Sequence, residues 1–346
     1  MKALVLEAYD NLVYQEVDKP VISGDDVLVR VMACGICGSD IHGMDGSTGR
    51  RIPPLIMGHE ASGVIEEVGG NVAGWQVGDR VTFDSTVYPM DDWFTANGQY
   101  NLSDGREVIG VSPGDYKRHG AFAEYVAIPQ HILYRLPDNV TYEEAAMVEP
   151  IAVAQHCINL SGVSNSDSVV VLGSGMIGSF IIKLLNLMSV EKILAIDLVQ
   201  GNLDKAVENG ANQVFIGNDD QLITKVKSST DGRGPDMVFD AVGVESSINS
   251  ACEMVRKGGT VMLLGNLDPK VNIPLQKIVT GEILLKGSCA INGEYEQVLK
   301  LISEGKIDVH ESISVVAPLE EGADWFNKLK GPNHGLGKVI LTPGHG

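Results

Sequence analysis

A cysteine at position 37, a Gly58-His59-Glu60 triplet and a Glu149-Pro150 pair bring a thiol, an imidazole and two carboxylates into one chain. That set suits Zn²⁺, a borderline-soft ion that accepts sulfur, nitrogen and oxygen donors. Three protein ligands with one coordination position open make a catalytic centre rather than a structural one. Cys37 lies in Cys34-Gly35-Ile36-Cys37, a spacing shared by redox pairs and by half of a zinc knuckle, but no second pair completes a knuckle. His59 and Glu60 are adjacent, and neighbouring side chains on a regular strand point to opposite faces. Both reach one ion only if the chain bends there, or else one of them acts from behind a ligand or as an exchangeable one. Glu149 binds directly or through water. The expected ligands are Cys37, His59 and one of the two glutamates, Glu60 or Glu149, with the other nearby.

The second chemical signal is Val169-Val170-Val171-Leu172-Gly173-Ser174-Gly175-Met176-Ile177-Gly178. An apolar strand runs into a G-x-G-x-x-G turn. Gly173 permits the tight turn, Gly175 lets a pyrophosphate approach the backbone, and Gly178 lets the following helix pack on the sheet. Met176 and Ile177 open that helix, whose N-terminus faces the phosphates. Ile193-Leu194-Ala195-Ile196-Asp197 ends in a carboxylate nineteen residues after Gly178. Asp197 accepts hydrogen bonds from ribose hydroxyls and repels a 2′-phosphate, so the expected cofactor is NAD rather than NADP. The segment beyond it, Leu198-Val199-Gln200-Gly201-Asn202, holds no cation to receive such a phosphate. Phe239-Asp240-Ala241-Val242-Gly243 and Val261-Met262-Leu263-Leu264-Gly265 end later strands. Val242 and Leu264 are candidates for contact with the nicotinamide side of the cofactor, or for simple core packing.

These residues need elements to position them, and the chain has two textures. Up to about Glu149, short β-rich runs such as Val27-Leu28-Val29-Arg30-Val31 and Gly63-Val64-Ile65-Glu66-Glu67-Val68 are separated by Gly, Pro and Asp, which reads as a compact β-barrel-like domain. From Ser168, strands alternate with helical stretches, the pattern of βαβ units around a parallel sheet. Strands are expected at 169–172, 192–196, 214–216, 236–239, 261–264 and 283–285, enough for a complete doubly wound sheet. A helix at 295–304 and an apolar run at 337–341 do not extend the alternation.

At 346 residues the chain exceeds one ordinary core, and 44% apolar with 21% charged residues is a normal globular balance. The net charge of −19 opposes a polyanionic partner, so neither nucleic acid nor an anionic membrane is expected to bind. Five cysteines form no dense disulfide framework, and no apolar stretch of membrane length or cationic leader stands out. The expected compartment is a reducing cytoplasm.

The series Cys37-Gly38-Ser39-Asp40-Ile41-His42, Gly58-His59-Glu60-Ala61-Ser62-Gly63-Val64-Ile65, Gly78-Asp79-Arg80-Val81 and Gly120-Ala121-Phe122-Ala123-Glu124-Tyr125 resembles the zinc-containing medium-chain alcohol dehydrogenases, particularly the sorbitol (polyol) and L-threonine dehydrogenase branch. The resemblance implies an α/β fold: a Rossmann doubly wound parallel sheet plus a discontinuous GroES-like β-barrel catalytic domain. It places that catalytic domain at 1–152 and 291–346, around an NAD-binding domain at 153–290. It implies an EC 1.1.1 oxidoreductase that interconverts a secondary alcohol and a ketone, with Cys37 as a ligand and Cys34 packed inside. Ser39 and His42 match a relay that carries the alcohol proton to solvent. In the plainer alternative Ser39 caps a helix beginning near Asp40 and His42 is a surface residue.

Resemblance to the branch with Glu-Pro at the place of Glu149-Pro150 implies polyols, sugar alcohols or sugar acids as substrates, with an L-threonine-type amino alcohol or a catalytically silent nucleotide-binding protein as alternatives. A homodimer or homotetramer is expected. Many relatives carry four cysteines for a structural zinc where this chain has Pro89, Asp92, Thr95 and Ser103, so that metal is expected to be absent. Trp93, Phe94 and Tyr100 are expected to stabilise the segment by apolar packing.

Elemental analysis of protein washed free of loosely held metal is therefore expected to give one zinc per chain at full loading. A reproducible second zinc bound within 84–103 would contradict this reading.

Overall fold

The computed structural model describes residues 1–331 and 335–344. Its contacts divide the chain into two compact units, Met1–Glu149 with Ile291–Gly346, and Pro150–Ala290.

In the first unit a hairpin of β1 (Lys2–Ala8) and β2 (Asn11–Glu16) precedes the long β3 (Asp26–Gly35), whose Val27-Leu28-Val29 and Val31 are buried. A short helix α1 (Gly38–Gly43) and the two-residue β4 (Leu55–Ile56) lead into β5 (Glu60–Val68), which pairs antiparallel with β3. Next come β6 (Arg80–Phe83), β7 (Thr86–Val87), α2 (Trp93–Ala96), β8 (Glu107–Val108), β9 (Tyr125–Pro129) and β10 (Leu133–Arg135). Val29, Val31, Ile65, Val81, Phe83 and Val126 share one buried core, the inward half of an alternating strand pattern. Helix α3 (Tyr142–Ala146) starts with a capping box in which Thr141 and Glu144 each bond the other's backbone N–H. Helix α4 (Val148–Ser161) follows.

The second unit is built on six parallel strands: β11 (Ser168–Leu172), β12 (Lys192–Asp197), β13 (Gln213–Ile216), β14 (Met237–Asp240), β15 (Thr260–Leu263) and β16 (Leu284–Gly287). Their order, β13-β12-β11-β14-β15-β16, reverses beside β11, which is the switch point of a doubly wound sheet. Val169 to Leu172 form an unbroken buried apolar run, as a strand covered by helices on both faces requires. Those helices are α5 (Met176–Leu187), α6 (Gln200–Glu208), α7 (Leu222–Ser228), α8 (Glu245–Met254) and α9 (Leu275–Gly281). The six strands lie within a residue or two of their expected positions.

After Ile291 the chain rejoins the first unit through α10 (Tyr295–Ser303), β17 (Ile313–Pro318), α11 (Gly322–Lys330) and β18 (Lys338–Thr342). Strand β18 runs parallel to β17 and antiparallel to β3, with Ile340 opposite Gly35. The resulting sheet reads β10-β6-β5-β3-β18-β17, with β9 also on β3.

The glycine turn after β11 is sterically tight. Gly173 has φ +81°, and a Cβ there would stand 2.5 Å from Val242 Cγ2. A Cβ on Gly178 would stand 1.8 Å from the Gly173 carbonyl oxygen, whereas one on Gly175 meets nothing within 4 Å. Gly178→Ala is therefore expected to push α5 off the sheet and cost about 1–3 kcal/mol or more. Gly175→Ala should leave stability nearly unchanged. Urea unfolding midpoints check the pair, and equal midpoints would contradict the steric account.

Candidate metal centre and dinucleotide cradle

Cys37 stands at the end of β3 in extended backbone, φ −90°, as the N-cap of α1. The opposite side of the centre comes from Gly58, whose φ of +96° turns the chain just before β5. A Cβ at Gly58 would stand 2.9 Å from both Cys34 Sγ and the Phe122 backbone nitrogen, so only glycine fits this bend. The bend lets His59 and Glu60 face one point although they are adjacent. The candidate ligand atoms of Cys37, His59 and Glu60 lie within 4.8 Å of one another, and His59 and Glu60 are buried. Among the described residues this is the one such group of three. Cys34 is wholly buried behind it, and burial pushes its thiol well up, which suits packing rather than metal binding.

Two buried ion pairs hold the donors. Glu60 Oε2 accepts from Lys338 Nζ at 2.5 Å, while Glu60 Oε1 is buried without a partner. Lys338 also donates to the Ile36 carbonyl at 3.2 Å; burial works against its charge, but Glu60 and then Cys37 raise its pKa. On the other side, Arg51 Nη2 donates to Asp40 Oδ1 at 3.0 Å. His59 Nδ1 lies 3.5 Å from the same oxygen, an ion-pair separation rather than a hydrogen bond. Burial alone would raise the Asp40 pKa, yet His59 and then Arg51 bring it down to about 2. With Nδ1 turned to Asp40, Nε2 is the nitrogen left for an ion. An unpartnered carboxylate oxygen, an imidazole and a thiol form the S, N, O set that zinc takes.

Glu149 stands outside this group of three. Its Oε1 accepts from Ser85 Oγ at 3.0 Å, and burial, reinforced by the charge of Glu60, pushes its pKa up to about 7. Ser39 does not cap α1, which starts at Gly38 with no side-chain cap. Its hydroxyl donates to Cys37 Sγ at 3.3 Å and accepts from Arg51 at 3.3 Å. His42 is exposed in the last turn of α1.

In the second unit, Gly173 follows β11, Gly175 is the N-cap of α5, and Met176, Ile177 and Gly178 form its first turn. Asp197 ends β12; its Oδ2 accepts from the Ser174 N–H at 2.7 Å and its Oδ1 from the Val199 N–H at 2.8 Å. The carboxylate is thus fixed against the glycine turn. Val242 lies against Gly173, and the loop that carries it is tied by buried Asp240, which accepts from the Val242 and Gly243 N–H groups and from Ser247 Oγ. Leu264 is half-buried past the end of β15 and donates its N–H to the Asp240 carbonyl at 3.0 Å.

Comparison with known proteins decides the family. Residues 23–138 match the alcohol dehydrogenase GroES-like domain, and residues 177–304 match the zinc-binding dehydrogenase domain. D-xylulose reductase A of Aspergillus oryzae is 31% identical across 98% of this chain and 95% of its own. The chain belongs to the zinc-containing medium-chain alcohol dehydrogenase family. Galactitol-1-phosphate dehydrogenase from Escherichia coli superposes with a TM-score of 0.90 at 26% identity, covering 99% of this chain and 100% of that one. A protein assigned as a zinc-binding dehydrogenase from Sinorhizobium meliloti 1021, solved with NADP, gives a TM-score of 0.90 at 28% identity over 99% of both chains. The dehydrogenase is thus an oxidoreductase that uses zinc and a nicotinamide cofactor.

The segment 84–103 of this dehydrogenase is held by polar contacts more than by the expected aromatic packing. Trp93 is 67% exposed, because the short helix α2 turns it outward. Asp92 caps α2 by accepting from the Thr95 N–H at 2.9 Å and also accepts from Ser103 Oγ, so three of the four cysteine-replacing positions are joined by hydrogen bonds. Tyr100 does pack, stacking on Tyr88 with ring centroids 4.2 Å apart. Its hydroxyl donates to Asp84 at 2.6 Å and accepts from the Gly293 N–H at 2.7 Å.

Sequence reasoning missed Lys338, Arg51, Ser85 and the supporting part of Asp40. Asp40 lies inside a motif already singled out, but a lone lysine near the C-terminus carries no local signal. Lys338→Met leaves Glu60 buried without its cation and is expected to cost the metal-free dehydrogenase about 3–5 kcal/mol. Urea unfolding after chelation measures it, and a wild-type midpoint would contradict the pairing.

Proposed function

We propose that this dehydrogenase oxidises a secondary alcohol of a polyol, sugar alcohol or sugar acid to the ketone, and runs the reverse reduction, with NAD as hydride carrier. The observation that carries the reading is the convergence of Cys37, His59 and Glu60 donor atoms within 4.8 Å, with Glu60 Oε1 buried and unpartnered. These three residues would hold the zinc. When bound there, zinc acts as a Lewis acid on the substrate oxygen. Lys338 orients Glu60 by taking its other oxygen, and Asp40 fixes the ring of His59. Glu149, raised to about 7 and bonded to Ser85, is a carboxyl able to hold or release a proton near neutrality. Ser39, hydrogen-bonded to Cys37 Sγ, and the exposed His42 on the same short helix give the alcohol proton a route outward.

Support for the substrate class comes from the relatives, which are named for D-xylulose and galactitol-1-phosphate. The preference for NAD rests on Asp197, anchored by two backbone N–H groups, and on the lack of any cation from Leu198 to Asn202. A 2′-phosphate there meets negative charge with nothing to offset it. The neighbour solved with NADP makes this a point for experiment. Leu275, Val279 and Leu284, all more than half exposed at the β16 edge of the sheet, favour a homodimer or homotetramer. A reducing cytoplasm suits the five free cysteines.

The test is NAD-coupled turnover of zinc-loaded protein against polyols, sugar acids and amino alcohols, together with two variants. Polyols or sugar acids are expected to be oxidised. Cys37→Ala should abolish turnover while NADH binding survives. Asp197→Ala should weaken NAD and shrink the ratio of NAD to NADP specificity constants by about tenfold or more. Turnover of amino alcohols alone would overturn the substrate class, wild-type turnover in Cys37→Ala the metal centre, and an unchanged ratio the part given to Asp197.

A further inference from the structure

The second unit carries a cavity of about 250 Å³ that the dehydrogenase chemistry leaves unused, lined by Lys227, Arg233, Lys257, Lys277 and Thr280 among others. Lys227 lies in the last turn of α7, Arg233 and Lys257 in the turns before β14 and β15, and Lys277 and Thr280 on α9 just before β16. These are the N-terminal ends of the parallel strands. The glycine turn and Asp197 lie at the C-terminal ends, so the cavity and the cradle occupy opposite edges of one sheet.

The charge around this cavity runs against that of the whole chain, in which 45 acidic residues outnumber 26 lysines and arginines. Four of those cations line this one cavity. Lys277 is paired with Glu253 at 2.9 Å and Arg233 with Asp231 at 3.8 Å. Among the described residues no carboxylate lies within ion-pair distance of Lys227 or Lys257. A helix C-terminus attracts cations and accounts for Lys227 alone. Lys277 sits in the first turn of α9, where the helix dipole opposes a positive charge. The exposed apolar Leu275 and Val279 share the other face of α9, about half a turn from Lys277.

We infer that this cavity binds a phosphate group, either inorganic phosphate or the phosphate of a small phosphomonoester. Three lysines and one arginine line one cavity, and for two of them no carboxylate stands within ion-pair distance among the described residues, which suits a compact dianion with several acceptor oxygens. A volume of about 250 Å³ admits a phosphate carrying a few carbons, and the chain's net charge opposes a long polyanion.

Phosphate also stabilises proteins generally by exclusion from their surface, so binding is read directly rather than from a melting temperature. The experiment is calorimetric titration with inorganic phosphate and, separately, glycerol 3-phosphate. Ionic strength is held constant with chloride, and saturating NADH occupies the cradle. Saturable binding is expected, weakened about tenfold or more in Lys227→Gln/Lys257→Gln and unchanged in a charge-matched Lys19→Gln/Lys270→Gln control. Tighter binding of the ester identifies the phosphomonoester as the ligand, and equal or tighter binding of inorganic phosphate identifies the free ion. Absence of saturable binding with both probes, full retention in the Lys227/Lys257 variant, or equal loss in the control would overturn the site.

Discussion

Asp40 and Glu60 are carboxylates buried to 1% exposure or less, and the donor cluster depends on the cations beside them. Taking a carboxylate out of water costs several kcal/mol, which only a well-placed opposite charge offsets. Arg51 serves Asp40 and Lys338 serves Glu60. Because each cation occupies one carboxylate oxygen, the other is left unpartnered: Asp40 Oδ2 on one side and Glu60 Oε1 on the other. The centre is thus buried and charged, with carboxylate oxygens that no protein group takes, as a site prepared for a divalent ion should be. Lys338 lies in β18, the last strand, whose pairing with β3 brings it to the cluster. The return of the C-terminal segment to the first unit therefore closes a sheet and delivers the balancing charge in one step.

A similar economy of long-range contacts holds the segment 84–103. Four thiolates around an ion would give it a folding free energy of its own. In their place stand an Asp92 cap, a Ser103 hydroxyl on the same carboxylate, and Tyr100 bonded at once to Asp84 and to Gly293 of the returning segment. Such bonds contribute about 1 kcal/mol each. Next to Asp84, whose pKa burial raises to about 6, Ser85 takes hold of Glu149. The segment and Glu149 are thus positioned by consecutive residues, so a loop outside the donor group still bears on the chemistry.

The second unit has two edges with different electrostatics. At the C-terminal ends of its strands stand the glycine turn and the carboxylates of Asp197 and Asp240. At the opposite ends, lysines and an arginine from two turns and two helices line one cavity. A parallel sheet makes this separation inevitable, since all its strands start at one edge and finish at the other.

How far the sequence could be read follows from the range of each interaction. The glycine turn, the acid at the end of the next strand and the alternation of apolar runs are contiguous signals, because a tight turn, a strand end and a buried sheet each impose residue types on neighbouring positions. The donor types Cys37, His59 and Glu60 were legible for the same reason. Sequence could say that His59 and Glu60 need a bend to share an ion, but only the fold supplied its cause, with Gly58 in left-handed backbone hemmed in by Phe122 and Cys34. Trp93 meets Phe94 edge-on as expected but stays largely exposed, because a four-residue helix has no face long enough to bury it. Sequence by itself determined the chemistry available to this protein, the donor set and the nucleotide turn. Tertiary structure alone brought a Glu60 oxygen within 4.8 Å of the Cys37 and His59 donors and set Glu149 against Ser85. The reason is that Lys338 reaches Glu60 across 278 positions, and a charge pair closed by strand pairing at that distance leaves no spacing for a sequence to display.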